Sequence, residues 1–200
     1  MFGQINSEAH NIKHLIQSGT IGAEIGVWYG NTSEMFMEVG LRELHLVDSW
    51  SVTPYNKETN EHGSYEKYLK RYASITGGET PEDFNKYYSK VYQSVVNKFV
   101  LKSEVKIHRM LSEKWFKTIS DDYLDWIYVD GDHSYEGCLE DLNNSLRVVK
   151  SGGIIIGDDY KWPGQNSGKP GVTKALDEFC ESNNLTLRPH GLNSQWSILV

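Results

Sequence analysis

Two short acidic clusters stand where metal or proton-transfer chemistry could be done. Asp130-Gly131-Asp132-His133 follows the apolar run Trp126–Val129, and Asp158-Asp159 follows Gly153–Ile156 and one glycine. Four carboxylates brought to one place repel strongly unless a cation or a proton compensates them. The pattern therefore asks for a metal. Oxygen ligands of this kind suit Mg2+ or Mn2+ better than Zn2+. His133 adds a side chain whose ordinary pKa lies near neutrality.

The elements around these clusters explain why they would meet. Leu124–Val129 and Gly153–Ile156 are short apolar runs bounded by glycine and acids, the pattern of buried parallel strands. Glu136–Val149 between them has Leu139, Leu142, Leu146 and Val149 on one helical face. A strand-helix-strand unit makes its two strands parallel, so both deliver their acids to the same carboxyl edge. Open α/β sheets bind ligands at that edge. Further strands are expected at Gly22–Val27, Leu44–Val47 and Glu104–Met110, and helices at Asn6–Gln17, Asn31–Val39 and Val172–Ser182. Asn31 and Glu34 are spaced as a capping pair, with Gly40 as the stop. Leu185–Arg188 and Gln195–Val200 read as a closing antiparallel pair. Alternation of strands and helices predicts a Rossmann-like, doubly wound α/β sheet, mostly parallel, with an antiparallel edge strand and helices on both faces.

A second constellation lies earlier. Ala23–Ser33 is a strand-turn-helix with Gly26 and Gly30 in the turn, where glycine allows close approach of a ligand. Trp28 and Tyr29 are bulky where a pyrophosphate needs open backbone, and the three-glycine dinucleotide pattern is absent. Glu24 places a negative charge near the turn, which suits a ligand ammonium group. Asp48 ends the second strand, where a carboxylate can accept from two ribose hydroxyls. A nucleoside with an amino-acid tail and no phosphates fits this set, and S-adenosylmethionine is such a molecule.

These motifs resemble the class I S-adenosylmethionine-dependent methyltransferases over nearly the whole chain. Val129–Gly137 (VDGDHSYEG) and Gly152–Asp159 (GGIIIGDD) are similar to the small metal-dependent O-methyltransferases that modify sugars in macrolides, and the Glu24–Ser33 loop resembles that of catechol O-methyltransferases. The resemblance implies a divalent cation held by Asp130, Asp158 and Asp159, with His133 as the base. It implies cofactor contacts at Glu24, Gly26, Trp28, Gly30, Thr32, Asp48, Ser49 and Asp130. Ser112, after the third strand, falls where the family contacts adenine. Asp132 is read as a helix-cap acid. The expected reaction is methyl transfer to a hydroxyl of a small molecule or glycan, first of all a sugar. Alternatives are a phenol or catechol acceptor, a metal-dependent hydrolase, or a nucleotide-binding module.

Residues 51–99 match nothing in that pattern and are too long for a plain connection. They hold Tyr55, Tyr65, Tyr68, Tyr72, Tyr87, Tyr88 and Tyr92, seven of the twelve tyrosines. A helical insertion is expected, either packing its aromatics on the domain or forming a lid over the acceptor. Trp28, Trp50 and Trp162 are pocket candidates at strand ends. The remaining histidines show no ligand spacing.

Composition bounds the rest. Two hundred residues suit one domain spanning 1–200. A formal charge of −7 without a basic run argues against nucleic acid. Cys138 and Cys180 are far apart and read as buried thiols in a reducing compartment. The first residues lack the basic start and apolar stretch of a signal peptide, and no run approaches the ~20 residues of a membrane span, so a cytoplasmic protein is expected. A domain of a longer protein fits equally well. Neither the regiochemistry nor the formation of a homo-oligomer is readable here.

Overall fold

A computed structural model describes residues 11–56, 62–161, 163, 168–191 and 194–200. Seven strands form one sheet in the order β3-β2-β1-β4-β5-β7-β6. They are β1 (Ile21–Ile25), β2 (Glu43–Asp48), β3 (Val105–Arg109), β4 (Leu124–Val129), β5 (Val149–Gly157), β6 (Leu187–His190) and β7 (Gln195–Leu199). The first five run parallel, and β7 joins β5 antiparallel, as does β6 to β7. Every residue of β1 is buried, which is why its sequence lacks a polar alternation. The chain winds outward from β1 through β2 to β3, then returns to β4 on the other side. That reversal makes the carboxyl ends of β1 and β4 the switch point, where a crevice must open.

Helices cover both faces. Helices α4 (Ser112–Phe116), α5 (Tyr135–Val148) and α6 (Pro170–Asn183) close one core around Ile127, Leu142, Ile155, Leu176 and Phe179. Helices α1 (Asn31–Met37) and α3 (Pro81–Phe99) close the other, where Phe36, Val91, Val95 and Phe99 pack with Ile12, Trp126 and Tyr128. Helix α2 (Tyr65–Thr76) stands apart in a third cluster with Val52, Tyr68, Leu69 and Phe84. Both thiols are buried and unpaired. Among the described residues no helix is long and apolar enough to cross a membrane.

Several boundaries depart from the sequence reading. The α1 N-cap is Gly30, in the left-handed region at φ 70°, and Asn31 is already helical. Asn31 and Glu34 instead receive the Lys98 ammonium of α3, at 3.0 and 2.7 Å. Long-range pairing has displaced the local capping motif. A 3-10 turn covers Lys13–Leu15, where part of a longer helix was expected; Asn6–His10 lie outside the described residues, as does Trp162. Strand β5 starts directly from α5 at Val149, and β6 begins two residues later than expected. The insertion is helical, and its two helices differ in role: α3 completes a core, whereas α2 does not.

Gly22 shows how tightly β1 and β4 are fitted. It faces Trp126 across the ladder, and a Cβ there would lie 2.0 Å from the indole ring. Trp126 is fixed by Thr20 Oγ1 at 3.1 Å and by Phe36 at a ring distance of 4.9 Å, so it cannot yield. Gly22→Ala should therefore lower the unfolding free energy by about 1–3 kcal/mol, the usual cost of overpacking, measured by urea denaturation.

Candidate active site

The turn after β1 is built around one carboxylate. Asp48 Oδ2 accepts from the backbone N–H of Val27 and Trp28 at 3.0 and 2.9 Å, and Oδ1 accepts from Trp50 N–H at 2.7 Å. Burial pushes the Asp48 pKa up, and these three donors pull it back. A carboxylate has about four acceptor positions, so roughly one remains for a ligand. That leaves less room than the two ribose hydroxyls expected from sequence. Gly26, at φ 87°, is required by space as well as by conformation: a Cβ would lie 1.9 Å from the Asp130 carbonyl oxygen. Trp28 and Trp50 are also left-handed, at φ 49° and 38°. The Trp50 indole donates to Trp28 O at 2.9 Å and holds the turn against the second strand end.

Glu24 is 1 % exposed and accepts from the Ser33 hydroxyl. Burial pushes its carboxyl well above the carboxylate range, and Asp130 and Asp48 push the same way. It stands behind the turn and does not line the cavity; nor do Gly30 and Thr32.

The acidic clusters do meet, with one exchange of partners. His133 Nε2 lies 3.2 Å from Asp130 Oδ1 and 3.1 Å from Asp159 Oδ2. Asp130, His133 and Asp159 each offer a donor atom within 4.8 Å of the others, a set that could hold a metal ion. Asp158, expected as a ligand, is not in this set. Its Oδ1 accepts from Ser194 Oγ at 2.5 Å and from Asp159 N–H at 2.6 Å. Neighbouring residues leaving a strand point apart. Asp159 reaches His133 from a left-handed conformation at φ 67°, while Asp158 stays against β7. The cluster that the fold brings together is two carboxylates and an imidazole, with Asp158 turned toward Ser194. Asp130 has its pKa raised to about 6, chiefly by burial, with Asp158 and Asp159 adding and His133 opposing. A divalent cation would relieve that repulsion, so the residues fit one. Asp132 does serve the helix start: its Oδ1 accepts from Ser134 N–H at 2.9 Å, and Ser134 caps α5.

A cavity of 810 Å³ opens over these groups. Gly26, Trp28, Asp48 and Ser49 line its floor with Asp130 and His133, Ser112 lines one end, and Tyr55, His62, Tyr68, Tyr72 and Tyr88 line the roof. Tyr55 stacks on Tyr68 at 4.0 Å, and the Tyr68 and Tyr88 hydroxyls are 2.5 Å apart. The structure thus brings Gly26, Trp28, Asp48, Ser49, Ser112, Asp130 and His133 of the sequence candidates to one space. It adds Asp141, which sequence reasoning missed. Asp141 lies on the buried face of α5 beside Cys138 and Leu142, 3 % exposed, and it lines the cavity. An acid on an otherwise apolar helix stripe was the signal that could have found it.

A family model described as a methyltransferase domain matches residues 23–160. The chain belongs to the methyltransferase-domain family. No curated protein matches it. Solved structures with similar folds include the O-methyltransferase NovP, at 20 % identity and TM-score 0.54, covering 93 % of this chain and 73 % of that one. A precorrin-6y C5,15-methyltransferase from Geobacter metallireducens GS-15 has 14 % identity and TM-score 0.56, with 94 % and 82 % covered. A SAM-dependent methyltransferase from Aquifex aeolicus has 16 % identity and TM-score 0.52, with 94 % and 87 % covered. This methyltransferase therefore has the class I fold, and the hydrolase and binding-module alternatives are set aside. Its matched region begins within β1 and ends just after Asp159, so both acidic clusters and the glycine turn lie inside it.

The raised Asp130 pKa has a signed consequence for stability. The native state holds that proton more tightly than the unfolded chain does, so the benefit is full below about pH 3.9 and is lost as pH rises through about 6. The side chain is 34 % exposed, so solvent screens part of the effect. In EDTA, Asp130→Asn should raise Tm more near neutral pH than in acid, read by thermal scans across the range. An equal shift at all pH values would contradict this account.

Proposed function

We propose that the chain is an S-adenosylmethionine- and divalent-metal-dependent O-methyltransferase acting on a hydroxyl, first of all of a sugar or glycan. The observation that carries this is the meeting of Asp130, His133 and Asp159, with Asp130 and His133 lining one cavity together with Gly26 and Asp48. Gly26 and the ends of β1 and β2 supply backbone that a nucleoside can approach. Asp48 has one acceptor position for ribose. Glu24 stands behind the turn, where it accepts from the Ser33 hydroxyl.

Asp130 and Asp159 would hold the cation through oxygen, which suits Mg2+ or Mn2+, and His133 beside them is the base. A bound divalent cation supplies positive charge that lowers the pKa of a neighbouring hydroxyl. The His133 imidazole takes the hydroxyl proton as the acceptor oxygen attacks the sulfonium methyl; the new C–O bond forms, the C–S bond breaks, and S-adenosylhomocysteine leaves. Asp130 and Asp159 stabilise the imidazolium so formed. Walls that hold both reactants in line account for much of such a rate enhancement.

The roof supports a ring-shaped acceptor. Tyrosine faces suit the C–H face of a sugar, and the Tyr68 and Tyr88 hydroxyls can bond its hydroxyls. The stack of Tyr55, His62 and Tyr68 equally suits a flat phenol. An intact-mass screen for an added methyl group on a panel of glycosides and phenols decides between them. Turnover should vanish in EDTA and return with Mn2+; full turnover with chelator present would reject the metal. His133→Ala should lose roughly 10²–10⁴-fold in turnover, the range for a base. Loss of Mn2+ binding in that variant would make His133 a ligand first, and turnover within threefold of wild type would remove it from the mechanism.

A further inference from the structure

Strand β7 runs against the five parallel strands, and that direction brings its start to the functional edge. It pairs antiparallel with β5, so its amino end meets the carboxyl end of β5, with Trp196 opposite Gly157. Ser194, one residue before β7, therefore comes to lie against Asp158. Both are buried, at 2 % and 8 % exposure. Three bonds join the segments. Ser194 Oγ donates to Asp158 Oδ1 at 2.5 Å, Trp196 Nε1 donates to the Asp158 carbonyl at 2.8 Å, and Tyr160 N–H donates to the Ser194 carbonyl at 2.9 Å. The second and third hold main chain. Only the first holds the Asp158 carboxylate.

That carboxylate passes the constraint on. The same Oδ1 accepts the Asp159 N–H at 2.6 Å. Asp159 is left-handed at φ 67°, a conformation that a non-glycine residue keeps only when its surroundings fix it. On its far side, Lys169 N–H donates to the Asp159 carbonyl at 2.7 Å. Held at both ends, Asp159 turns its Oδ2 to 3.1 Å from His133 Nε2. Ser194 lies outside the matched region 23–160, so it belongs to this chain's own closing strands.

We propose that Ser194 is a positioning residue for the metal and base cluster: by holding the Asp158 carboxylate it fixes Asp159 beside His133 and Asp130. The inference rests on the reading that this cluster takes a divalent cation. Hydrogen bonds that orient metal-binding side chains from behind typically change metal affinity by about 10–100-fold. Removing the Ser194 hydroxyl leaves β5 and β7 joined through their main chain and frees the carboxylate between them to turn.

The test is Mn2+ binding to the full chain, read by the EPR signal of the free ion with neither cofactor nor acceptor present. Ser194→Ala should weaken binding by about tenfold or more. Ser194→Thr keeps the hydroxyl and should stay within about threefold of wild type, because the hydrogen bond is retained. Ser194→Cys keeps the size but offers only a weak donor. It should lose affinity as the alanine variant does, and it replaces that variant if alanine prevents folding. Thermal midpoints in EDTA separate positioning from scaffolding: a lower midpoint in the alanine variant with unchanged Mn2+ affinity overturns the proposal. Equal weakening in the alanine and threonine variants also overturns it, since packing and not the hydroxyl would then set the affinity. Wild type that binds no Mn2+ overturns the metal reading itself, and this inference with it.

Discussion

Carboxylates removed from water must be given donors or a countercharge, and this fold removes several at one edge of its sheet. Glu24, Asp48, Asp130, Asp141 and Asp158 all lie at or just behind the carboxyl ends of the parallel strands. Each is treated differently. Asp48 receives three backbone donors and becomes the keystone of a turn. Glu24 is sealed against Ser33 with its pKa driven up. Asp158 is bonded to Ser194 and to the next amide. Asp130 and Asp159 share an imidazole. Asp141 has a single hydroxyl. Of these acids Asp48, Asp130 and Asp141 line the cavity, whereas Glu24 and Asp158 do not.

The fold was readable because its strands are buried on both faces and end abruptly. Ile21–Ile25 and Leu124–Val129 are apolar apart from Glu24 and Asp125, and Asp130 marks the end of β4 as Asp158 marks the end of β5. The topology then follows from the short helix between β4 and β5. Capping at Asn31 was misread because Lys98 lies sixty-seven residues away, and a local motif carries no trace of so distant a partner. The different placement of the two neighbouring acids was illegible for a related reason. Asp158 and Asp159 are equivalent in sequence, and only the left-handed turn at Asp159 and the approach of Ser194 from β7 decide which one faces His133.

The insertion is legible as helix and illegible as position. Its tyrosines at 65, 68 and 72 have helical spacing, but a stripe of that kind is the same whether it meets a core or a ligand. Packing separates the two. Val91, Val95 and Phe99 give α3 a place in the main core, so that helix is fixed. Helix α2 has only Tyr68 and Leu69 buried and meets the rest through other aromatics. Elements held by few apolar contacts open at lower free energy than the core does. A roof of this construction can move without disturbing the sheet, as the proposed acceptor cavity under it would require.

Backbone strain gathers at the same edge. Among the described residues five non-glycine residues are in the left-handed region, and three of them, Trp28, Trp50 and Asp159, border the site. Each such residue costs on the order of 1–3 kcal/mol, and it persists only when its surroundings fix it. Trp28 and Trp50 are fixed through Asp48, which bonds both amides, and through the indole bond between them. Asp159 is fixed by its amide on Asp158 and its carboxyl on His133. The strain is therefore held by the acids themselves. Neutralising Asp48 would release the turn as well as weaken a ligand contact, because the charge that would recognise the ribose also holds the loop around it.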